Sequence, residues 1–217
     1  MPMFEGLIDK ISQKLEGPLP GEAAHERMLA TAINGSRLRM RHEKPPRLGG
    51  VMILLYEHDG DVYLPLMRRP DYDGVHSGQV SFPGGKHEKE DADLIETAIR
   101  ETEEEIGVHR SQIEVIGTMS EFFISASNFQ VLPVVGYVSG RPSFVPDPVE
   151  VAAVIEAPLS DLLNPGYQRV KEMDVRGYRL RTPYFDVMGN TVWGATAMML
   201  SEFVEVLQGI TVTNTHK

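Results

Sequence analysis

Cysteine is absent from this chain, which excludes disulfides and thiolate metal sites. No stretch approaches the roughly 18 apolar residues of a membrane-crossing helix, so no membrane partner is expected. The opening segment MPMFEGLIDKISQKLEG carries acidic groups and lacks a long apolar run ahead of a small-residue cleavage site. No secretory leader is read there, and a cytoplasmic location is the default expectation. An excess of positive charge is missing too: 21 Lys and Arg stand against 31 Asp and Glu, a formal net charge of −10. That balance argues against general nucleic-acid binding, which needs cationic surface to displace counterions. It also sets a condition on any chemistry with phosphates. Like charges repel, and bound divalent cations would remove the conflict.

What is present suits a globular protein: 41% hydrophobic and 24% charged residues over 217 positions, enough to bury a core. Phe4, Leu7, Ile8, Ile11 and Leu15 recur at helical spacing and predict a helix over 3–16, ended by Pro18 and Pro20. A second short helix is expected within 21–32, and 34–48 reads as a linking arm. Residues 1–48 are therefore a helical extension and arm, which either completes a dimer interface or covers the domain. The compact domain is expected over 49–210, with a tail at 211–217.

Residues 50–57, GVMILLYE, predict a buried strand. Asp59-Gly60 marks a tight turn and VYLPLMRR the returning strand. The stretch 70–90 is rich in Gly, Pro, Asp, His and Ser around a short QVSF, the composition of a functional loop. A helix is expected over 91–106, with Ala98, Thr102 and Ile106 on one stripe and Gly107 as its C-terminal cap. Strands are expected at 112–118, 130–138, 151–157, 168–174 and 178–186, and a last helix over 194–208. Strands and helices mix without strict alternation, which predicts a mixed sheet covered by helices.

The chemistry concentrates on one helix. Glu101, Glu104 and Glu105 stand three and four residues apart, so all three can face one patch, where they repel unless a cation sits among them. Mg²⁺ and Mn²⁺ prefer such oxygen ligands. Read alone, the cluster fits a metal site and a solvated face equally; Glu103 points away and reads as a solvated, salt-bridged residue. Just before the helix, Phe82-Pro83-Gly84-Gly85-Lys86 supplies a glycine turn whose backbone can approach a ligand closely.

The run GGKHEKEDADLIETAIRETEEEIGV resembles the Nudix box, G-x5-E-x7-R-E-U-x-E-E-x-G-U with U aliphatic. Arg100, Glu101, Glu104, Glu105, Gly107 and Val108 match its second half. Thr102 replaces an aliphatic, and Gly85 lies fifteen residues before Arg100, one more than usual. Asp91 falls where the first Glu is counted from Gly85. That insertion is similar to the coenzyme A pyrophosphatase subgroup, with Lys86, Glu88 and Asp91 fitting its box. Gly78, Phe82, Pro83, Gly84 and Gly85 fit its upstream signature and Leu66 its beginning. Gly74 replaces the signature's arginine, and Met67 and Pro70 also depart from it.

The resemblance implies an α/β/α sandwich around a mixed sheet. It also implies hydrolysis of a nucleoside diphosphate linked to another moiety, foremost coenzyme A. ADP-ribose, dinucleoside polyphosphates, nucleoside triphosphates and a non-catalytic nucleotide-binding module are the alternatives. Glu101, Glu104, Glu105 and the Gly85 carbonyl are then expected to hold Mg²⁺ or Mn²⁺. Arg100 is expected to orient a ligand glutamate, with phosphate contact as its second reading. A box glutamate or Glu150, read as beginning a strand, would serve as base; Glu121 is a weaker candidate. Substrate contacts are expected from Arg68, Arg69, His76, Lys86 and Gly84. Trp193, Phe122, Phe123, Met198 and Met199 read most simply as core.

Overall fold

A computed structural model describes residues 2–34, 42–70, 78–175 and 177–210. In chain order its elements begin with α1 (Pro2–Leu15), α2 (Glu22–Glu26), β1 (Thr31–Ala32), β2 (Arg47–His58), β3 (Asp61–Arg68), β4 (Val80–Ser81), β5 (Gly84–Lys86) and α3 (Leu94–Ile106). They continue with β6 (Glu114–Thr118), β7 (Phe122–Ile124), β8 (Phe129–Tyr137), β9 (Ala153–Pro158) and α4 (Leu159–Leu163). β10 (Gln168–Val175), β11 (Tyr178–Val187), β12 (Asn190–Trp193) and α5 (Gly194–Val206) complete the series. Gly74, His76, Ser77 and the tail 211–217 lie outside the described residues.

The unbroken apolar run at 52–56 makes β2 the central strand, buried on both faces. It runs parallel to β8, from Arg47 opposite Phe129 to Leu55 opposite Tyr137. Its other edge meets β5 first and then β3, across the Asp59–Gly60 turn. Both turn residues have positive φ, as a two-residue hairpin of this kind requires. β3 pairs with β4 and β9, and β8 with β6 and β7, all antiparallel. The eight-stranded sheet is therefore mixed.

Alternation along β2 sorts the two layers. Met52, Leu54 and Tyr56 share one core with Ala98 and Ile106 of α3. Ile53 and Leu55 share the opposite core with Phe203 and Leu200 of α5 and with Phe4, Leu7, Ile8 and Ile11 of α1. Helices on both faces make the expected α/β/α sandwich. The helix of the 1–48 segment thus lies inside that core, because its apolar stripe is matched by sheet and α5 beneath it.

The expected strands 168–174 and 178–186 form, but not in the main sheet. β10 and β11 join β1 and β12 in a separate four-stranded antiparallel sheet. β11 buries Leu180, Thr182, Phe185 and Val187 at roughly alternate positions, whereas β10 buries none of its residues. This small sheet therefore packs through one strand's inner face.

Candidate active site

The glutamates are aimed by the seating of α3. Its first turn is capped by Asp93, whose carboxylate accepts the N–H groups of Ile95 and Glu96 at 2.9 Å each. That cap starts the helix at Leu94, three residues after the expected start at 91, by supplying partners to N–H groups that have none within the helix. At the other end Gly107 adopts the left-handed conformation and its N–H reaches the Glu103 carbonyl. Between them, Ala98, Thr102 and Ile106 are buried.

Asp91, in the loop before the helix, is 2% exposed and anchors Arg100. Arg100 Nε donates to Oδ1 at 2.8 Å and Nη2 to Oδ2 at 3.1 Å. Thr97 Oγ1 and the Glu88 N–H donate at 2.9 and 3.0 Å. The Arg100 hydrogen bond holds the Asp91 carboxyl well below the usual range, although burial opposes it. The rest of the guanidinium is occupied as well. Nη2 donates to the Lys86 carbonyl at 3.1 Å, and Nη1 lies 2.9 Å from Glu104 Oε2 and 3.0 Å from Glu101 Oε1. Arg100 ties the loop to the carboxylates.

Glu105 is 3% exposed, accepts the Gly84 N–H at 2.7 Å and has Arg69 Nη2 at 3.6 Å. Burial pushes its carboxyl up to about 8. Burial also raises Glu101, against the pull of Arg100. Glu104 is 60% exposed, and its Oε2 shares Arg100 Nη1 with Glu101 Oε1, so these two carboxylates face one patch. Among the described residues no three His, Asp or Glu side chains stand as a ready-made metal cage. Glu103 pairs with Arg110 at 2.8 Å on the solvent side, as expected.

The glycine turn closes on these groups. A Cβ on Gly85 would stand 2.5 Å from the Glu101 carboxyl carbon, so bare backbone faces that carboxylate. Gly84, at φ 150°, takes a conformation that side-chain-bearing residues rarely adopt, and it presents its N–H to Glu105. The donor set fits a hard divalent cation. The charged forms of two carboxyls are disfavoured by burial, and a cation beside them would restore those charges.

Gly84, Gly85 and Arg69 open onto a cavity of about 430 Å³, a size typical of small-ligand sites. Arg68 is exposed and does not line it, and the Lys86 side chain is exposed as well. Glu150 does not begin a strand. It lies in the turn after Asp147, whose carbonyl accepts its N–H at 3.3 Å, because β9 starts only at Ala153. Its like charge nevertheless acts on both Glu101 and Glu105. Glu121 accepts from Gln130 at 3.0 Å. Phe123 is 44% exposed rather than core, since β7 is short and turns that residue outward. Trp193, also expected in the core, stands half-buried in the cavity wall. Phe122 and Met198 pack partly buried against the core, and Met199 is buried. The sequence reading missed the Asp93 cap, although Asp93 followed three residues later by Glu96 carries that signal.

The NUDIX domain family matches residues 46–175. This chain belongs to the Nudix domain family. Nudix hydrolase 15, mitochondrial, of Arabidopsis thaliana is 39% identical over 162 residues, 71% of this chain and 56% of the plant protein. The Nudix hydrolase NudL of Yersinia enterocolitica, named as uncharacterized, is 37% identical over 146 residues, 65% of this chain and 72% of NudL. The chain thus spans about half the length of two plant relatives, 56% and 53%. A solved Nudix hydrolase from M. smegmatis, RenU, shares the fold at TM-score 0.55 and 15% identity, over 85% of this chain and 97% of RenU. In this Nudix chain, β11, β12 and α5 lie beyond the matched span and still form part of the cavity wall.

Proposed function

We propose that this chain hydrolyses a nucleoside diphosphate linked to another moiety with a divalent cation, Mg²⁺ or Mn²⁺, and that coenzyme A or a derivative is its substrate. The products are 3′,5′-ADP and 4′-phosphopantetheine. The observation that carries the reading is the buried Glu105 and the partly buried Glu101, 14% exposed, set against the bare backbone of Gly84 and Gly85 at a cavity wall.

Glu101 and Glu105, with Glu104 and the Gly85 carbonyl, would hold the cation. When bound, it neutralises phosphate charge and lowers the pKa of a coordinated water. The chain's own groups do the rest. Arg100, braced by Asp91, fixes the direction of Glu101 and Glu104. Arg69 is the one charged side chain lining the cavity among the described residues, which supports a contact from it to substrate phosphate. Glu150, whose charge reaches the pair from a solvent-facing turn, is the candidate base. Gly74 in place of the signature arginine supports a second reading in which ADP-ribose, a dinucleoside polyphosphate or a nucleoside triphosphate is cleaved by the same groups.

The test is incubation with Mg²⁺ or Mn²⁺ and a panel of coenzyme A, acetyl coenzyme A, ADP-ribose, NADH, diadenosine polyphosphates and nucleoside triphosphates, with products resolved by mass. Cation-dependent 4′-phosphopantetheine is the expected product. Cleavage of another compound alone selects the second reading. Nucleotide binding without any cleavage overturns both in favour of a non-catalytic module.

A further inference from the structure

We propose that the cavity wall built from beyond the matched Nudix span receives the substrate's nucleobase, a flat heteroaromatic ring stacked on Trp193. The hydrolase reading enters only in assigning the diphosphate to the Gly84, Gly85 and Arg69 side.

Three observations define the occupant. Arg69 is the only charged residue lining the cavity among the described residues. The wall away from it, with Leu180, Ala195, Met199 and Trp193, offers no ionic partner for a phosphate among the described residues and few groups for sugar hydroxyls. An apolar moiety is favoured there. The aromatic surface narrows the choice. Phe129 already carries the Arg47 guanidinium over one ring face, 4.2 Å from the centroid. Tyr178 is half exposed, and Phe82 is 1% exposed and committed to the core. Trp193, at the junction of β12 and α5, is therefore the aromatic side chain best placed to offer a ring face to a ligand. Finally, Gln79, Ser125 and Ser127 line the same cavity, so polar side chains meet its occupant beside the apolar wall. An occupant with a polar edge is therefore preferred over a purely aliphatic chain. A ring with a stacking face and a polar edge is a nucleobase.

The chain has a single tryptophan, so emission excited at the red edge, where its seven tyrosines do not absorb, reports on Trp193 alone. The full-length protein is titrated in EDTA, without turnover, with adenosine 5′-monophosphate and with ribose 5-phosphate, which differ only by the base. Saturable quenching by the nucleotide and none by the sugar phosphate is expected. On a cleaved substrate, Trp193→Ala is expected to raise KM about tenfold while kcat holds. No quenching by the nucleotide, or equal quenching by both ligands, overturns the proposal. The two readings fail separately. Cleavage with an emission blind to the base removes this inference alone, and base-dependent quenching without cleavage removes the hydrolase alone.

Discussion

Glu105 is the residue whose surroundings depart furthest from those of an ordinary glutamate. It is 3% exposed, with one N–H donor at 2.7 Å, and burial pushes its carboxyl up to about 8. At pH 7 the side chain is mostly protonated until a cation displaces the proton. Cation affinity is therefore expected to rise as pH climbs through about 8, since only the anion ligates. Calorimetric Mg²⁺ titrations in two buffers of different ionisation heat would count the protons released. About one per cation is expected at pH 7, and none would remove Glu105 from the ligand set. Asp91→Ala leaves Arg100 without its anchor in a nearly closed site. It is expected to cost about 3 kcal/mol in chemical denaturation and about 10–100-fold in turnover. Gly85→Ala drives a methyl into the Glu101 carboxyl. Activity should collapse while the circular dichroism spectrum stays native. At this scale the spacing of Arg100, Glu101 and Glu105 was legible, because helix periodicity fixes which residues are neighbours. The Asp91 anchor on the other side of the Arg100 guanidinium was not, because helix spacing does not set the path of the preceding loop.

Among elements, α2 and α5 are joined by a buried polar network. Glu202 on α5 is fully buried and meets His25 Nε2 at 2.8 Å, Ser120 Oγ at 2.6 Å and the Gly21 N–H at 3.0 Å. Burial alone would raise its carboxyl, but these hydrogen bonds outweigh it and the net shift is downward. A depressed folded-state value means the stabilisation is present above the ordinary glutamate range and lost as pH falls through the lowered one. Urea midpoints should therefore drop on acidification below the ordinary range, and Glu202→Gln should flatten that slope. An unchanged slope would contradict the network's role. Ile11→Ala is expected to cost about 2–5 kcal/mol, because α1 packs in the main core rather than on its rim. β2, β3, α3 and α5 were legible as long periodic runs with clear stops. β5 was not, since Gly-Gly-Lys has no strand preference and is held by the backbone of β2. Nor was the departure of β10 and β11 from the main sheet, because alternation gives a strand's inner face and not its neighbours.

For the whole molecule, a net charge of −10 and a cavity with one lining cation among the described residues present the problem that a bound metal would resolve. The cavity is lined by the glycine turn and Arg69 and also by the second sheet with the start of α5. Residues after 175 contribute Tyr178, Leu180, Trp193 and the first residues of α5, and the Nudix-matched span contributes most of the rest. The most direct test compares cation-dependent release of 4′-phosphopantetheine from coenzyme A by the native protein, Glu101→Gln and Glu105→Gln, alongside their thermal unfolding. A loss of more than about 100-fold in both variants, beyond what losing a supporting partner costs, with folding intact, is the predicted result. Turnover within about twofold of native would contradict the assignment of these two carboxylates.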